Sequence, residues 1–284
     1  MRPYGPDFIE CLADDLLPPR GGVFVMVKVY FDRGAKLEAG GIMCVAASLF
    51  KTTPYRQFRK QWETVLKGWQ ATEFHATDFY SGYGEFKRHC PDGKLDPNLK
   101  ARFDRDSREL PTIIGTHVGK LFLVSLKEQE FESVAPPAWR EHFGTLPAVA
   151  AQMTASVIGY WSNRTNYKGP IAYVIEAGDD GREMERALRK MFDDPTNREH
   201  TRMAGYPTVV EKGRARGLEV SDFIAWHWNK FYVDSLATHT PRDMRKDIAS
   251  LVKMLNMKQD QIELHLFTGE VLEKFLEVNG CVRV

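Results

Sequence analysis

The chain has 284 residues, of which 43% are hydrophobic and 12% aromatic, so it can form one large core or two ordinary ones. Its 39 basic and 38 acidic residues give a net charge of +1, which excludes a strong overall field that would attract an anionic partner. No apolar run approaches the roughly 20 residues that a membrane helix needs. The four cysteines are far apart and give neither a C-x-x-C pair nor a zinc spacing. We therefore expect a globular cytoplasmic protein without a membrane partner.

The order of the predicted elements indicates an α/β protein with a mixed sheet. Apolar, β-branched runs predict the strands, and apolar residues at helical spacing predict the helices. The predicted strands cover residues 23–32, 41–50, 112–126, 171–176, 207–211 and 261–267, and the predicted helices cover residues 54–66, 146–161, 182–192, 218–233 and 242–255. The first two strands are separated by glycines, which predicts a hairpin.

The same pattern predicts one main domain. Residues 1–22 are read as an N-terminal extension and residues 23–284 as a single domain. We expect an insertion around residues 51–110, of which residues 87–108 are so highly charged that they predict a partly exposed helical segment. A further helix and strand extend the domain from about residue 240.

Two of the predicted strands end on a carboxylate. The strand V-F-V-M-V-K-V-Y-F-D ends at Asp32, and the strand I-A-Y-V-I-E ends at Glu176. In open α/β sheets, ligands bind outside the carboxyl ends of the strands. Paired carboxylates supply the hard oxygen ligands that Mg²⁺ and Mn²⁺ prefer. We therefore predict that these strands are parallel neighbours with a metal site at one edge; the alternative is that each acid begins a solvated turn.

A third carboxylate, Asp222, lies in a predicted helix that is apolar nearly all round. Val220, Phe223 and His227 belong to its main apolar stripe, and the surface that carries Asp222 is not purely polar either. A helix of this kind packs on more than one side, so we predict that Asp222 is buried and that its helix packs against the sheet. An exposed or capping aspartate is the alternative.

The segment E-F-H-A-T-D supplies two further candidates. Glu73 and His75 are two residues apart, so they point the same way in an extended chain, and either could bind a metal or move a proton. The alternative for His75 is a hydrogen-bonded structural histidine among aromatic residues. Asp180 and Glu183 instead have the spacing of a helix-capping pair.

A basic segment precedes the Asp222 helix. Lys212, Arg214 and Arg216 are three cations without an intervening acid, and the neighbouring glycines would let the backbone approach a phosphate closely. We therefore take these three residues as candidates for nucleic-acid binding, with a solvated basic loop as the alternative.

Four of these motifs, in their order along the chain, resemble domain-of-unknown-function family 3800. They are V-Y-F-D-R-G, E-F-H-A-T-D-F, Y-V-I-E-A-G and G-L-E-V-S-D-F-I-A-W. That family typically shows D-E-S-G on its first strand, an H-A motif preceded by a carboxylate, an acid on a middle strand, and an L-Q-x-A-D-x-x-A helix. The resemblance covers roughly residues 23–235. It implies a ribonuclease H-like fold, in which a mixed sheet is flanked by helices and carries helical insertions.

The resemblance also implies a metal-dependent nuclease that hydrolyses phosphodiester bonds with Mg²⁺ or Mn²⁺, as two ions. Asp32, Glu176 and Asp222 match the acidic positions of the family and would bind the ions. With Glu73 and His75, which match the H-A region, they form the expected catalytic set. The implied partner is nucleic acid, DNA or RNA, while a protein partner or a homo-oligomer stays open.

This chain departs from the family pattern at four positions. Arg33 and Ala35 stand where the family commonly has Glu and Ser, Glu219 stands for Gln, and Ser221 stands for Ala. Arg33 removes a negative charge beside the expected metal site. One alternative is therefore a catalytically degenerate relative that binds nucleic acid or a protein. Another is a metal-dependent phosphohydrolase that acts on small molecules.

Overall fold

The computed structural model describes residues 23–32, 41–211, 213–238, 249 and 261–278, and for residues 23–32, 52, 138, 232–238 and 275–278 it describes the backbone alone. This part of the chain forms six strands and ten helices in an α/β arrangement. The strands are β1 Val23–Asp32, β2 Ile42–Lys51, β3 Lys120–Lys127, β4 Ile171–Glu176, β5 Thr208–Val210 and β6 Ile262–Phe267. The helices are α1 Thr52–Gly68, α2 Ala76–Ser81, α3 Lys100–His117, α4 Glu128–Val134, α5 Pro137–Phe143, α6 Leu146–Arg164, α7 Asp179–Asp193, α8 Pro195–Thr201, α9 Arg216–Thr238 and α10 Gly269–Val278.

All six strands belong to one mixed sheet in the order β5-β4-β1-β2-β3-β6. Strand β2 runs antiparallel to both β1 and β3, whereas β1 with β4, β4 with β5, and β3 with β6 pair in parallel. Every residue of β2 except Lys51 is buried, as expected for a continuous apolar run covered on both faces. The predictions of a β1–β2 hairpin and of parallel neighbours β1 and β4 are confirmed.

Helices cover both faces of the sheet and form two hydrophobic cores. On one face, side chains of α1, α2, α3 and α9 pack on alternate strand residues such as Cys44, Ala46 and Val174. On the other face, α4 to α7 and Leu272 of α10 pack on intervening residues such as Val45. Because strand side chains alternate between faces, Glu176 shares the face of Val174. It therefore lies on the side of the sheet that α9 covers.

The prediction of one strand over residues 112–126 is confirmed for residues 120–126 and wrong for residues 112–119. Helix α3 continues through Pro111 to His117, and β3 begins only at Lys120. The sequence T-I-I-G-T-H-V favours a strand by its β-branched residues. However, Leu110 and Ile114 are four residues apart and both fully buried, which is the spacing of a helix face packed on a core. Burial therefore outweighed local propensity here.

Of the other predictions, one holds in part, one is confirmed and two concern residues outside the described part of the chain. Residues 84–99 contain three short 3₁₀ turns, so the predicted helical segment over residues 87–108 holds only from the start of α3. The predicted last strand is confirmed as β6, which adds an edge strand beside β3. The extension over residues 1–22 and, apart from residue 249, the predicted helix over residues 242–255 lie outside the described residues. Among the helices described, none combines the length and the hydropathy needed to cross a membrane.

Candidate functional site

Helix α9 carries Asp222 over the middle of the sheet. The Oγ atoms of Ser221 and Ser48 are 2.8 Å apart, which fixes the second turn of α9 above β2. Through the strand pairing, Ser48 is level with Met26 of β1, and Met26 is level with Val174 of β4. The second turn of α9 therefore crosses the sheet only two residues before β4 ends, as we predicted when we placed this helix against the sheet.

Asp222 is buried, with 1% of its surface exposed. Its Oδ2 accepts a hydrogen bond from the backbone N–H of Ala76 (2.7 Å) and lies 3.6 Å from Nδ1 of His75. Ala76 is the first residue of α2, and the side chain of His75, which precedes it, does not cap that helix. Asp222 therefore satisfies an amide that α2 leaves without an internal acceptor. The prediction that Asp222 is buried is confirmed, and the structure brings it together with His75.

Glu219, one turn before Asp222, joins three separate segments. Its carboxylate accepts hydrogen bonds from Nε1 of Trp62 (2.5 Å) and from Nη1 of Arg216 (2.6 Å). The same Arg216 nitrogen donates to the carbonyl oxygen of Thr72 (2.8 Å). Burial raises the pKa of Glu219 to about 7, against the opposing effects of Arg216 and Trp62. This network fixes the segment with Glu73 and His75 against α9.

Glu73 is held at the other end of the same segment. The carboxylate of Glu85 accepts hydrogen bonds from the backbone N–H groups of Thr72 (2.5 Å) and Glu73 (3.3 Å) and from the Thr72 hydroxyl (2.6 Å). Although burial acts in the opposite direction, these bonds lower the pKa of Glu85. A Cβ atom on Gly213 would lie 3.1 Å from Oε2 of Glu73. Glu73 therefore faces the loop before α9, whereas His75 faces Asp222.

The two strand-end acids are not level with each other. The pairing of β1 with β4 extends to Val27 opposite Ile175. Asp32 lies five residues beyond Val27, whereas Glu176 lies one residue beyond Ile175, so the offset is four residues. At about 3.3 Å per residue, this offset is roughly 13 Å along the strands. Glu176 is half-buried, and the side chain of Asp32 lies outside the described residues.

A crevice is present at the carboxyl edge of the parallel strands, where α/β proteins bind ligands. One cavity of about 590 Å³ is lined by residues that include Met43, Glu128 and Arg140. A smaller cavity of about 170 Å³ is lined by Glu176 and by Asp179 at the start of α7. The residue that caps α7 is a glycine, and no side chain makes a capping bond there, so the predicted Asp180–Glu183 capping pair is wrong.

The fit of a metal ion depends on Asp32. Among the residues whose side chains are described, no three His, Cys, Asp or Glu groups are close enough to hold an ion. Asp222 and His75 offer one oxygen and one nitrogen ligand, and Glu176 stands at the end of β4. These described groups do not complete the expected two-ion site by themselves. The expected site also includes the Asp32 carboxylate, which lies outside the described side chains.

The three basic candidates differ in their surroundings. The side chain of Arg216 is 17% exposed, and its guanidinium is held by Glu219 and by the carbonyl oxygen of Thr72. That of Arg214 is 52% exposed, with Nε 3.8 Å from Glu211. Lys212 lies outside the described residues. Arg214 is therefore better placed than Arg216 to contact a ligand.

Comparisons with known proteins do not extend the resemblance seen in the motifs, since no protein-family model and no curated protein matches the chain.

The geometry also reveals residues that the motifs did not single out as functional, namely Glu219 and Trp62. A signal for the first was present, because Arg216, Glu219 and Asp222 follow one another at intervals of three residues. On a helix, such residues lie on neighbouring positions of one surface.

Proposed function

We propose that the chain is a metal-dependent nuclease of the ribonuclease H-like type that hydrolyses phosphodiester bonds. The observation that carries the proposal is the meeting of β1, β4 and α9. Two parallel neighbouring strands each end on an acid, and α9 holds the buried Asp222 beside His75 on the face of the sheet to which Glu176 belongs. An acid at a strand end and a buried acid–imidazole pair are suited to ion binding and proton transfer.

The strand arrangement supports the proposed fold. Strands β1 to β5 lie in the order β5-β4-β1-β2-β3, and β2 alone among these five runs in the opposite direction. The resemblance implies a mixed sheet flanked by helices, and this sheet is mixed. Helices on both faces agree with the same fold.

The proposed chemistry divides the work among the candidate residues. Asp32, Glu176 and Asp222 would hold Mg²⁺ or Mn²⁺, and two such ions would activate water and stabilise charge on the attacking and leaving oxygens. His75, whose Nδ1 lies 3.6 Å from Oδ2 of Asp222, would accept or donate a proton. Glu73 would be a second proton-transfer group of the catalytic set. It lies beside the loop that carries Arg214.

A second candidate function is binding of nucleic acid without cleavage. It is favoured by the four-residue offset between Asp32 and Glu176 and by the use of Asp222 as an acceptor for the Ala76 amide. Arg33 also favours binding without cleavage, because it places a positive charge next to Asp32.

Cleavage assays with matched variants separate the two functions. Single- and double-stranded DNA and RNA are incubated with Mn²⁺ and the wild type, Asp32→Asn, Glu176→Gln or Asp222→Asn. The nuclease proposal expects cleavage by the wild type and loss of cleavage in all three variants. Asp104→Asn changes a half-exposed acid of α3 and should cleave like the wild type.

Three other outcomes have distinct meanings. Binding without cleavage by the wild type would support the second candidate. Cleavage of small phosphate esters alone would contradict both proposals. Equal cleavage by the wild type and an Asp32→Asn, Asp222→Asn double variant would show that these acids are not the catalytic ones.

A further inference from the structure

A small pocket lies between α1 and the segment that leads into α9. Its volume is about 100 Å³. It is lined by Tyr55, Arg59, Glu63, Gly213, Arg214 and Arg216, and we call it the arginine pocket.

The arginine pocket brings together three guanidinium groups from two separate segments. Arg59 comes from α1, and Arg214 and Arg216 come from the start of α9 and the loop before it. Glu63 is the acid of the lining, 3.6 Å from Nε of Arg216, so the charge of the lining residues is positive. Glu219 and Glu63 fix the Arg216 side chain at the wall of the pocket. Arg59 and Arg214 also line the pocket, and Nε of Arg214 lies 3.8 Å from the carboxylate of Glu211.

The size of the arginine pocket restricts its ligand. A water molecule occupies about 30 Å³ in the liquid, so the volume equals that of roughly three waters. Sites for complete small molecules usually measure about 300 to 1,000 Å³, which excludes a whole nucleotide. Guanidinium groups match the oxygens of phosphate through paired N–H donors. A single phosphate group that projects from a larger molecule suits both the volume and the charge.

The loop that closes the arginine pocket also touches the proposed catalytic segment. Gly213 has φ of +73°, a conformation that favours glycine, and its Cα approaches Glu73 so closely that a Cβ would meet the Glu73 side chain at 3.1 to 3.3 Å. Glu73 is two residues from His75. A phosphate held by Arg59 and Arg214 would therefore lie beside the segment that carries both residues.

We infer that the arginine pocket binds one backbone phosphate of a nucleic-acid strand, on the side of the proposed site where Glu73 lies. This inference rests on the proposed function and deepens it, because it identifies the polyanionic strand as the substrate class and Arg59 as a substrate contact. It also gives Arg216 a different role from that of Arg214. Arg216 forms part of the wall of the pocket, whereas Arg59 and Arg214 bind the phosphate.

The test measures binding of a labelled single-stranded oligonucleotide by fluorescence anisotropy, with EDTA present so that metal-dependent cleavage cannot occur. Salt is varied between about 50 and 200 mM. Arg59→Ala and Arg214→Ala should each lower the slope of log K against log salt by about 0.7, since each removes one phosphate contact. At about 0.1 M salt this loss corresponds to roughly fivefold weaker binding. Arg59→Lys should bind less tightly than the wild type, because lysine lacks the paired donors.

Lys60→Ala is the matched control. Lys60 is the neighbour of Arg59 on α1, carries the same charge, is exposed and does not line the pocket. This variant should keep the wild-type slope. Thermal unfolding of each variant checks that it is folded, and the half-exposed Arg214 keeps the test decisive if Arg59→Ala fails to fold.

The outcomes separate this inference from the proposed function. If the wild type binds and cleaves, but the two arginine variants keep its slope as Lys60→Ala does, the pocket inference is overturned and the nuclease proposal stands. If the slope falls as expected but Mn²⁺ produces no cleavage, the pocket inference is supported and the nuclease proposal fails. No binding of DNA or RNA by the wild type at low salt would overturn the inference.

Discussion

Replacing Asp222 separates its structural contact from its proposed role as a metal ligand. Asp222→Ala removes the acceptor of the Ala76 amide, a buried charged hydrogen bond worth about 1.5 to 3 kcal/mol. For a chain of this size, about 2 kcal/mol corresponds to a fall of roughly 4 to 8 °C in the melting temperature without metal. Asp222→Asn keeps an oxygen acceptor for the amide, so we expect a smaller loss. Clustered carboxylates repel one another without a cation, so removal of one acid could by itself stabilise the metal-free protein. The Ala76 contact reverses that sign for alanine.

The change in melting temperature on addition of Mn²⁺ is the decisive measurement. A ligand at about 100 times its dissociation constant stabilises the native state by roughly 2.7 kcal/mol, which corresponds to a rise of about 5 to 11 °C. We expect this rise for the wild type with Mn²⁺ and its absence in both Asp222 variants. The assay is thermal unfolding followed by circular dichroism, with and without Mn²⁺.

A second buried aspartate provides the control for this experiment. Asp106 is 2% exposed, accepts hydrogen bonds from Trp69 (2.7 Å) and Arg105 (2.8 Å), and belongs to α3 rather than to the proposed site. Asp106→Asn should lower the melting temperature but keep the full response to Mn²⁺. An unchanged Mn²⁺ response in Asp222→Asn would refute the proposed role of Asp222 as a ligand.

Three further predictions concern pH, catalysis and metal uptake. Because burial raises the pKa of Glu219 to about 7, above its unfolded value, the stability it contributes is present at low pH and is lost as the pH rises through about 7. The melting temperature of Glu219→Gln relative to the wild type should therefore be higher near pH 8 than near pH 5, and an equal difference at both pH values would contradict this assignment. Asp32→Asn should lose Mn²⁺-dependent cleavage, measured by gel assay. It should keep the wild-type affinity for oligonucleotides, measured by anisotropy, because the phosphate contacts lie elsewhere. A parallel loss of binding would contradict the assignment of Asp32 to cleavage alone. Arg33→Glu should increase the binding of Mn²⁺ measured by calorimetry, since it places a carboxylate next to Asp32. A decrease would show that Arg33 does not weaken the binding of the ion.

The sheet could be predicted largely from the sequence because its central strands are long and apolar. The bounds of β1 and β4 agree with the predicted residues 23–32 and 171–176. The failure over residues 112–119 has a local cause. Threonine, isoleucine and valine favour strands, whereas the helix there depends on packing of Leu110 and Ile114 against the core. That packing involves residues distant in sequence, so a local pattern could not reveal it.

The candidate site could be predicted only in part. The apolar surroundings of Asp222 in the sequence correctly indicated burial. The contact between Glu219 and Trp62 joins residues 157 positions apart, and nothing in either local pattern specifies it. The offset between Asp32 and Glu176 was also hidden, because parallel strands are joined by long crossovers whose length does not fix the register.

The hydrogen bond from Ala76 to Asp222 links the folding of two distant segments. Helix α2 has only six residues, and so short a helix does not persist in water by itself. Its first amide is held by a side chain 146 positions later in the chain. Exchange of that single amide proton with deuterated solvent therefore requires α9 to separate from α2. The exchange rate of the Ala76 proton thus reports how often α2 and α9 separate, although Ala76 itself lies in one of the shortest helices.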